Sequence, residues 1–419
     1  MNQALYHRRM SGLQLALRGS LVTTPGIATA HSHAFQRGLR GRLQTGGSFW
    51  NWRDGMYRFV QALDPDAIFS LGRYAFCELA TCGVTAVGEF HYIHRDPSGK
   101  PYADPNACAD ALIEAALEVG IRITLLRAFY ERGGPGQLPE GAQLRFCDAS
   151  LEEGMRLTEA LVERWKHEDR VRIGVALHSV RALTARSIRE IVPWARQLGL
   201  PIHMHVAEQP KEVALCLSEH GRRPVELLEE MGVLGPDFTA IHAIYLEPHE
   251  IQMLGRARSY VCICRSTERD LADGAPWVSE LLKAGARVVV GVDGYAASDP
   301  FEEVRAIEWD ERTRRLVRGA ALDGMSMWQV LTTEGHASIG WSKVPQGDEV
   351  EINLNDPGID VDPQRDPQWE GVLAWQVNCR AVRQVRVGGR LIVQDGKHCC
   401  YDNFRSAYQR TLQRVWESM

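Results

Sequence analysis

From about residue 84 to residue 294 the chain alternates short apolar, β-branched runs with longer stretches of helical spacing. The runs are Val84–Tyr92, Ile121–Tyr130, Val171–Val180, Pro201–Glu208, Thr239–Leu246, Tyr260–Thr267 and Arg287–Gly294. Apolar runs without polar alternation predict parallel strands covered on both faces. Asn106–Val119, Leu151–Trp165, Thr184–Leu198 and Trp277–Ala284 space their apolar residues as helices do. Gly120, Gly199 and Gly285 stand between a helix and the next strand, where a left-handed cap ends a helix. One more run ends near His31-Ser32-His33, and eight strands of this kind predict closure as a (β/α)8 barrel.

The ends of the chain follow another pattern. Leu13–Arg18, Val350–Asn355, Ala381–Val387 and Arg390–Val393 read as strands, with Gly388-Gly389 and Asp395-Gly396 as turns. Asn403–Met419 fits an amphipathic terminal helix, and the Asp- and Pro-rich Asp356–Trp369 fits a loop. The expected fold is therefore α/β, a distorted TIM (β/α)8 barrel over residues 25–344. Residues 1–24 and 345–419 are expected to build a small β-sandwich domain that carries the terminal helix.

Composition narrows the function classes. The 419 residues carry 48 Lys+Arg against 53 Asp+Glu, a net charge of -5, which gives no basic surplus for nucleic acid. No apolar stretch approaches the ~20 residues of a membrane-spanning helix, and the start lacks an apolar signal core. The ten cysteines are scattered, with only Cys262/Cys264 and Cys399/Cys400 close together. Neither pair has a zinc or disulfide-framework spacing, so the expectation is reduced thiols in a cytoplasmic protein.

The informative polar residues sit at the ends of the apolar strands, the edge where barrels of this type place their active sites. In chain order they are His31 and His33; Glu89, His91 and Tyr92; His178 and Arg181; His203, His205 and Glu208; His242; and Asp293. In a His-x-His on a strand, period two puts both rings on one face, where they can share one Zn²⁺ at ~2.0–2.1 Å each. A third histidine and an aspartate, brought in by barrel closure, would complete a site with one position left for water. A lone histidine is more often structural than a ligand, but several histidines and an aspartate gathered on one edge favour a metal site.

These residues resemble the amidohydrolase superfamily, in its deaminase-like branch that holds one metal. His31-Ser32-His33 is similar to the first-strand ligand pair, and His205-Val206-Ala207-Glu208 to the fifth-strand ligand-plus-acid motif. His242 matches the sixth-strand histidine and Asp293 the eighth-strand aspartate. Strand four ends Leu177-His178-Ser179, without the lysine of two-metal members, so one metal is expected. More narrowly, four segments are similar to formimidoylglutamate deiminases. They are His31–Arg37, Ser48–Arg53, Glu89–Tyr92 and His178–Arg181.

The resemblance implies deimination of N-formimino-L-glutamate to N-formyl-L-glutamate and ammonia, by a metal-activated water attacking the amidine carbon. It implies one divalent ion, zinc by preference, on His31, His33, His205 and Asp293. Glu208 would shuttle protons, His242 would orient the nucleophile from beside the metal, and Asp293 would also take the proton of the water. Arg53 and Arg181 would clamp the two carboxylates, with hydrogen bonds from Gln36, Tyr92 and His178. Trp50 and Trp52 are expected to pack the long loop after strand one. The chain departs from the family pattern at Gly294-Tyr295, in place of Ser-His. It departs again at Arg265, in place of proline, and at Arg269-Asp270, in place of small or amide residues; all are expected near the substrate. A diverged amidohydrolase for another amidine or amide, for example a peptide-like intermediate, is the rival reading. An inactive scaffold is a lesser one. The expected partner is a small molecule, with no nucleic acid or membrane, and a homodimer is possible.

Overall fold

The computed structural model describes residues 15–43 and 46–419. Eight parallel strands pair in chain order. They are β1 (Ile27–Ser32), β2 (Val84–His91), β3 (Arg122–Phe129), β4 (Val171–Leu177), β5 (Ile202–Val206), β6 (Phe238–His242), β7 (Tyr260–Ile263) and β8 (Arg287–Val290). All but the first residue of β8 and Arg172 of β4 are buried, which is why these runs lack alternation. The ring closes where β8 runs out: Ser32 bridges Asp293, and the amides of Val292 and Asp293 donate to the His31 carbonyl at 3.0 and 3.1 Å. Closure itself therefore sets Asp293 against His31-Ser32-His33. Gly291 permits this approach, since a Cβ there would stand 2.7 Å from that of His31.

Gly120 and Gly285 cap their helices with φ of 95° and 101°, and Gly199 follows its helix at 67°, as their positions predict. The run Tyr260–Thr267 is not one strand. It turns at Cys264 into the helix Arg265–Asp270, because the polar stretch after Cys264 has nothing to offer a buried sheet. The segment after β1, expected as a loop, holds the helices Phe49–Gln61 and Pro65–Thr81. Asp64 caps the second by accepting from the Ala67 amide at 2.7 Å, a contribution of about 1 kcal/mol. The bottom of the barrel is plugged by residues 330–341: Thr124 donates to the Ile339 carbonyl at 2.7 Å, and Trp341 donates to Thr124 at 3.1 Å. A cleft opens at the opposite, carboxyl-end edge.

The end segments form one antiparallel sheet, in the order Ala16–Arg18, Leu21–Pro25, Glu349–Asn353, Val382–Val387, Arg390–Gln394 and Lys397–His398. Leu13 and Gln14 of the expected first strand lie outside the described residues. The sheet meets the barrel through a buried ion pair, Arg122 to Asp348 at 2.8 Å. The terminal helix, Tyr401–Glu417, lies on the barrel helix Pro65–Thr81, where the Tyr74 and Tyr408 rings stack at 4.4 Å.

One expectation about the thiols is corrected. Cys82 and Cys379, 297 residues apart, are joined as a disulfide, so not every cysteine is a free thiol. Spacing along the chain cannot reveal a pair that only the meeting of barrel and C-terminal segment creates. Among the described residues, no helix is long and apolar enough to cross a membrane.

Candidate active site

The barrel mouth holds a cleft lined by His33, His205, Glu208, His242 and Asp293. At its floor the imidazoles of β1 and β5 converge: His31 Nε2 lies 3.3 Å from His205 Nε2. Asp293 Oδ1 lies 3.3 Å from His31 Nε2 and 3.5 Å from His33 Nε2. His33 Nδ1 donates to the Phe90 carbonyl at 2.8 Å, and His205 Nδ1 to the His178 carbonyl at 3.0 Å. Those bonds fix the tautomers and leave both Nε2 lone pairs facing inward, the arrangement carbonyl partners impose on metal-binding histidines. Burial holds His31, His33 and His205 below the ordinary imidazole range, His33 down to about 3, so all three are neutral donors. Burial alone would raise the Asp293 carboxyl, but His31, His242 and His33 hold it lower still than a free aspartate. Two overlapping groups, His31 with His33 and Asp293 and His31 with His205 and His242, each bring their ligand atoms within 4.8 Å of one another, a donor set of imidazoles and a carboxylate that suits a divalent cation. The Nε2 atoms of His31 and His205 face one another 3.3 Å apart, close enough to share one cation.

His242 differs from the other histidines. Its Nδ1 donates to Glu268 Oε1 at 3.1 Å, and its Nε2 lies 3.6 Å from both Glu208 Oε1 and Asp293 Oδ2. Burial would lower it, but Glu208, Glu268 and Asp293 together raise it well above the ordinary value. Its Nδ1 is thus committed to Glu268, while its Nε2 faces two carboxylates and groups with the ligand atoms of His31 and His205 within 4.8 Å. Glu208, pushed up by burial to about 7, can gain and lose a proton near neutrality. His242, Ala207 and Asp293 take left-handed φ of 69°, 49° and 45°. Strain thus clusters where the strand ends turn their side chains into the cleft.

The five expected substrate contacts all line this cleft. Gln36 Nε2 donates to Tyr92 at 3.2 Å, while its buried Oε1 has no partner. Arg181 is held by the Tyr130 hydroxyl and the Gly133 carbonyl, both at 3.4 Å. Arg53 lies over Trp50 and Tyr57, with its buried Nε unpaired. His178 rests 3.2 Å from Ser179. His91 and His203 stand apart: His91 packs on His94, and His203 sits a layer below His205, bonded to the Ser338 carbonyl at 2.9 Å.

Several expectations change. Trp50 and Trp52 lie in the first turn of a helix and line the cleft, where aromatic faces exclude water. Tyr295 points away from the cleft, fully buried, with its hydroxyl 2.8 Å from Ser32, which in turn donates to Glu89 at 2.6 Å. Arg265 also turns from the substrate. It is buried between Glu268 at 2.5 Å and Asp310 at 2.6 Å, so it holds the carboxylate that holds His242. Arg269 pairs with the same Asp310. Glu268 and Glu212 went unsuspected. Glu212 lines the cleft and accepts from the strained Ala207 amide at 3.0 Å. Its position one helical turn after Glu208 was the only signal for it.

A profile of the amidohydrolase family matches residues 22–344. The formimidoylglutamate deiminase of Pseudomonas aeruginosa is 33% identical over 407 residues, covering 93% of this chain and 88% of that protein. A 5-methylthioadenosine/S-adenosylhomocysteine deaminase of Natronomonas pharaonis is 29% identical, covering 91% of this chain and 83% of that one. Among solved structures, an amidohydrolase from Brucella melitensis is similar with a TM-score of 0.85 at 28% identity, covering 96% of each chain. The profile spans all eight strands and the whole converging cluster, so the chain belongs to the amidohydrolase family, as a deaminase-like hydrolase of C–N bonds.

Proposed function

We propose that the enzyme deiminates N-formimino-L-glutamate, giving N-formyl-L-glutamate and ammonia. The observation that carries this reading is one cleft with a cation-competent cluster at its floor and two guanidinium groups, Arg53 and Arg181, on its wall. A substrate with two carboxylates and one amidine matches that distribution of charge. The 33% identity to a formimidoylglutamate deiminase points the same way.

One divalent ion, zinc by preference, would be held by His31, His33, His205 and Asp293. When bound, it supplies Lewis acidity that brings the pKa of a water towards neutrality. Asp293 accepts the proton that the attacking water gives up. His242, protonated on both nitrogens, directs Nε2–H at the oxygen that forms the new bond and steadies its charge. Glu208 gives its proton to the imino nitrogen, takes another from the tetrahedral adduct, and passes it to the departing ammonia. Gln36 Oε1, buried without a partner, accepts from the formimino N–H. Arg181 and Arg53 bind the carboxylates, with Tyr92 and His178 supplying further hydrogen bonds.

Ammonia release from N-formimino-L-glutamate by zinc-loaded protein tests the reading, and Arg181→Met should raise KM by roughly 10- to 100-fold with a smaller change in kcat. No turnover by the metal-replete enzyme would remove this substrate. The aromatic rim of Phe49, Trp50 and Trp52 and the likeness to a nucleoside-type deaminase would then favour a larger amidine or amide.

Arg265 acts in the same reaction as a positioning residue. Arg265→Met leaves the Oε2 of buried Glu268 without its cation, while Oε1 keeps His242 and the Cys264 amide. We expect kcat to fall about 10- to 100-fold, with KM and metal content close to wild type. Arg265→Lys should restore part of the loss. A parallel fall in metal content, or a change confined to KM, would refute this role.

A further inference from the structure

Arg132 stands three residues past the end of β3, outside the lining of the cleft. Its Nε donates to the Arg181 carbonyl at 3.1 Å, and its Nη2 to the carbonyls of Val180 and Leu183 at 3.2 and 3.0 Å. Its backbone amide donates to the Ala182 carbonyl at 3.2 Å, beside the Glu131 amide at 3.0 Å. Successive carbonyls from Val180 to Leu183 thus all accept from this one residue. The opposite side of the guanidinium is held by Glu219, near the end of the helix Pro210–His220. The two Glu219 oxygens accept from Nη1 and Nη2 at 2.5 and 2.8 Å. A bidentate carboxylate fixes the plane of a guanidinium, a geometry that an ammonium does not reproduce.

The two elements that Arg132 joins both serve the cleft. The turn 179–183 follows His178 and bears Arg181; the helix begins two residues after Glu208 and puts Glu212 on the cleft wall. The head of Arg181 makes long contacts, 3.4 Å to the Tyr130 hydroxyl and 3.4 Å to the Gly133 carbonyl. Bonds of that length leave its N–H groups available to a carboxylate but do little to fix where the head lies. Its place is therefore inherited from its backbone, and its backbone is what Arg132 holds.

We propose that Arg132 is a positioning residue that determines specificity: by fixing the turn 179–183 against the helix Pro210–His220, it sets where Arg181 meets a substrate carboxylate, and so the chain length accepted between that carboxylate and the amidine. The inference rests on the deiminase reading with Arg181 as a carboxylate clamp. A carboxylate one methylene out of register loses the paired bonds of the guanidinium, so a firmly placed Arg181 rejects a shorter homologue and a loosely placed one tolerates it.

The test compares zinc-loaded wild type, Arg132→Met, Arg181→Met and the double variant on N-formimino-L-glutamate and on N-formimino-L-aspartate, one methylene shorter. Arg132→Met should raise KM for the glutamate compound about 10-fold, with kcat and metal content within about threefold of wild type. Its preference for the glutamate over the aspartate compound, as a ratio of kcat/KM values, should fall about 10-fold. Because Arg132 acts through Arg181, adding Arg132→Met to Arg181→Met should change kcat/KM by less than about twofold. Glu219→Gln leaves the carbonyl bonds in place and should shift KM and preference the same way by smaller factors; it carries the test if Arg132→Met does not fold. Effects that multiply in the double variant, an unchanged preference, or a loss confined to kcat or metal content overturn the inference. Wild type without turnover of the glutamate compound would remove the deiminase reading and this inference with it, whereas an active wild type with multiplying effects removes the role of Arg132 alone.

Discussion

Glu208→Gln is expected to lower kcat for deimination about 1,000-fold while metal content stays at wild-type level. Glutamine keeps the volume and a hydrogen-bonding head but can neither take nor give the proton, and a positioned acid–base group contributes roughly 10²–10⁴-fold. The carboxyl lies 3.6 Å from His242 Nε2, with a side chain only 15% exposed, so bulk water is poorly placed to substitute for it. KM should change little, because the carboxylate clamps lie elsewhere on the cleft wall. Steady-state ammonia release together with metal analysis of the same preparation decides the matter. Retained turnover within about tenfold of wild type would exclude Glu208 as the shuttle.

The residues that were legible in the sequence owe it to strand geometry. His31 and His33 share a face because side chains alternate, and their strand ends on the open edge of the barrel. Asp293 was legible because a charged residue after an apolar run has only that edge to face. Glu268 and Arg265 were not, since their roles arise from a helix that begins one residue after Cys264, where the apolar run had suggested continued strand. Tyr295 and Arg265 depart from the family pattern, yet both lie behind the site, one under Ser32 and the other behind His242. A substitution close in sequence to a ligand can thus fall on the far side of it. Trp50 and Trp52 were misplaced for a related reason: an aromatic-rich stretch with a glycine shows no clear helical period, although the structure forms one. The Cys82–Cys379 bond joins elements that only the assembled fold makes neighbours.

His205→Ala and His242→Asn should separate the two kinds of histidine at the cleft floor. His205 Nε2 faces His31 Nε2 across 3.3 Å, so its loss removes a donor and leaves too few for tight binding. Metal affinity should fall by more than the roughly 10- to 100-fold that loss of a supporting partner costs, and turnover should vanish with it. Wild type at 100 times its Kd for the ion gains about 2.7 kcal/mol from binding, so a chelator should lower its Tm. The His205→Ala protein should melt at one temperature with or without chelator. His242→Asn should behave oppositely, keeping the ion and its chelator-sensitive Tm while kcat drops by roughly 10²–10⁴-fold. That expectation follows from the surroundings of His242: its Nδ1–H is given to Glu268, and its Nε2 faces Glu208 and Asp293 at 3.6 Å. If His242→Asn lost the ion as completely as His205→Ala, His242 would be a ligand and the donor set would have to be redrawn around it. Loss of turnover alone, with the ion retained, assigns it to the water and the adduct.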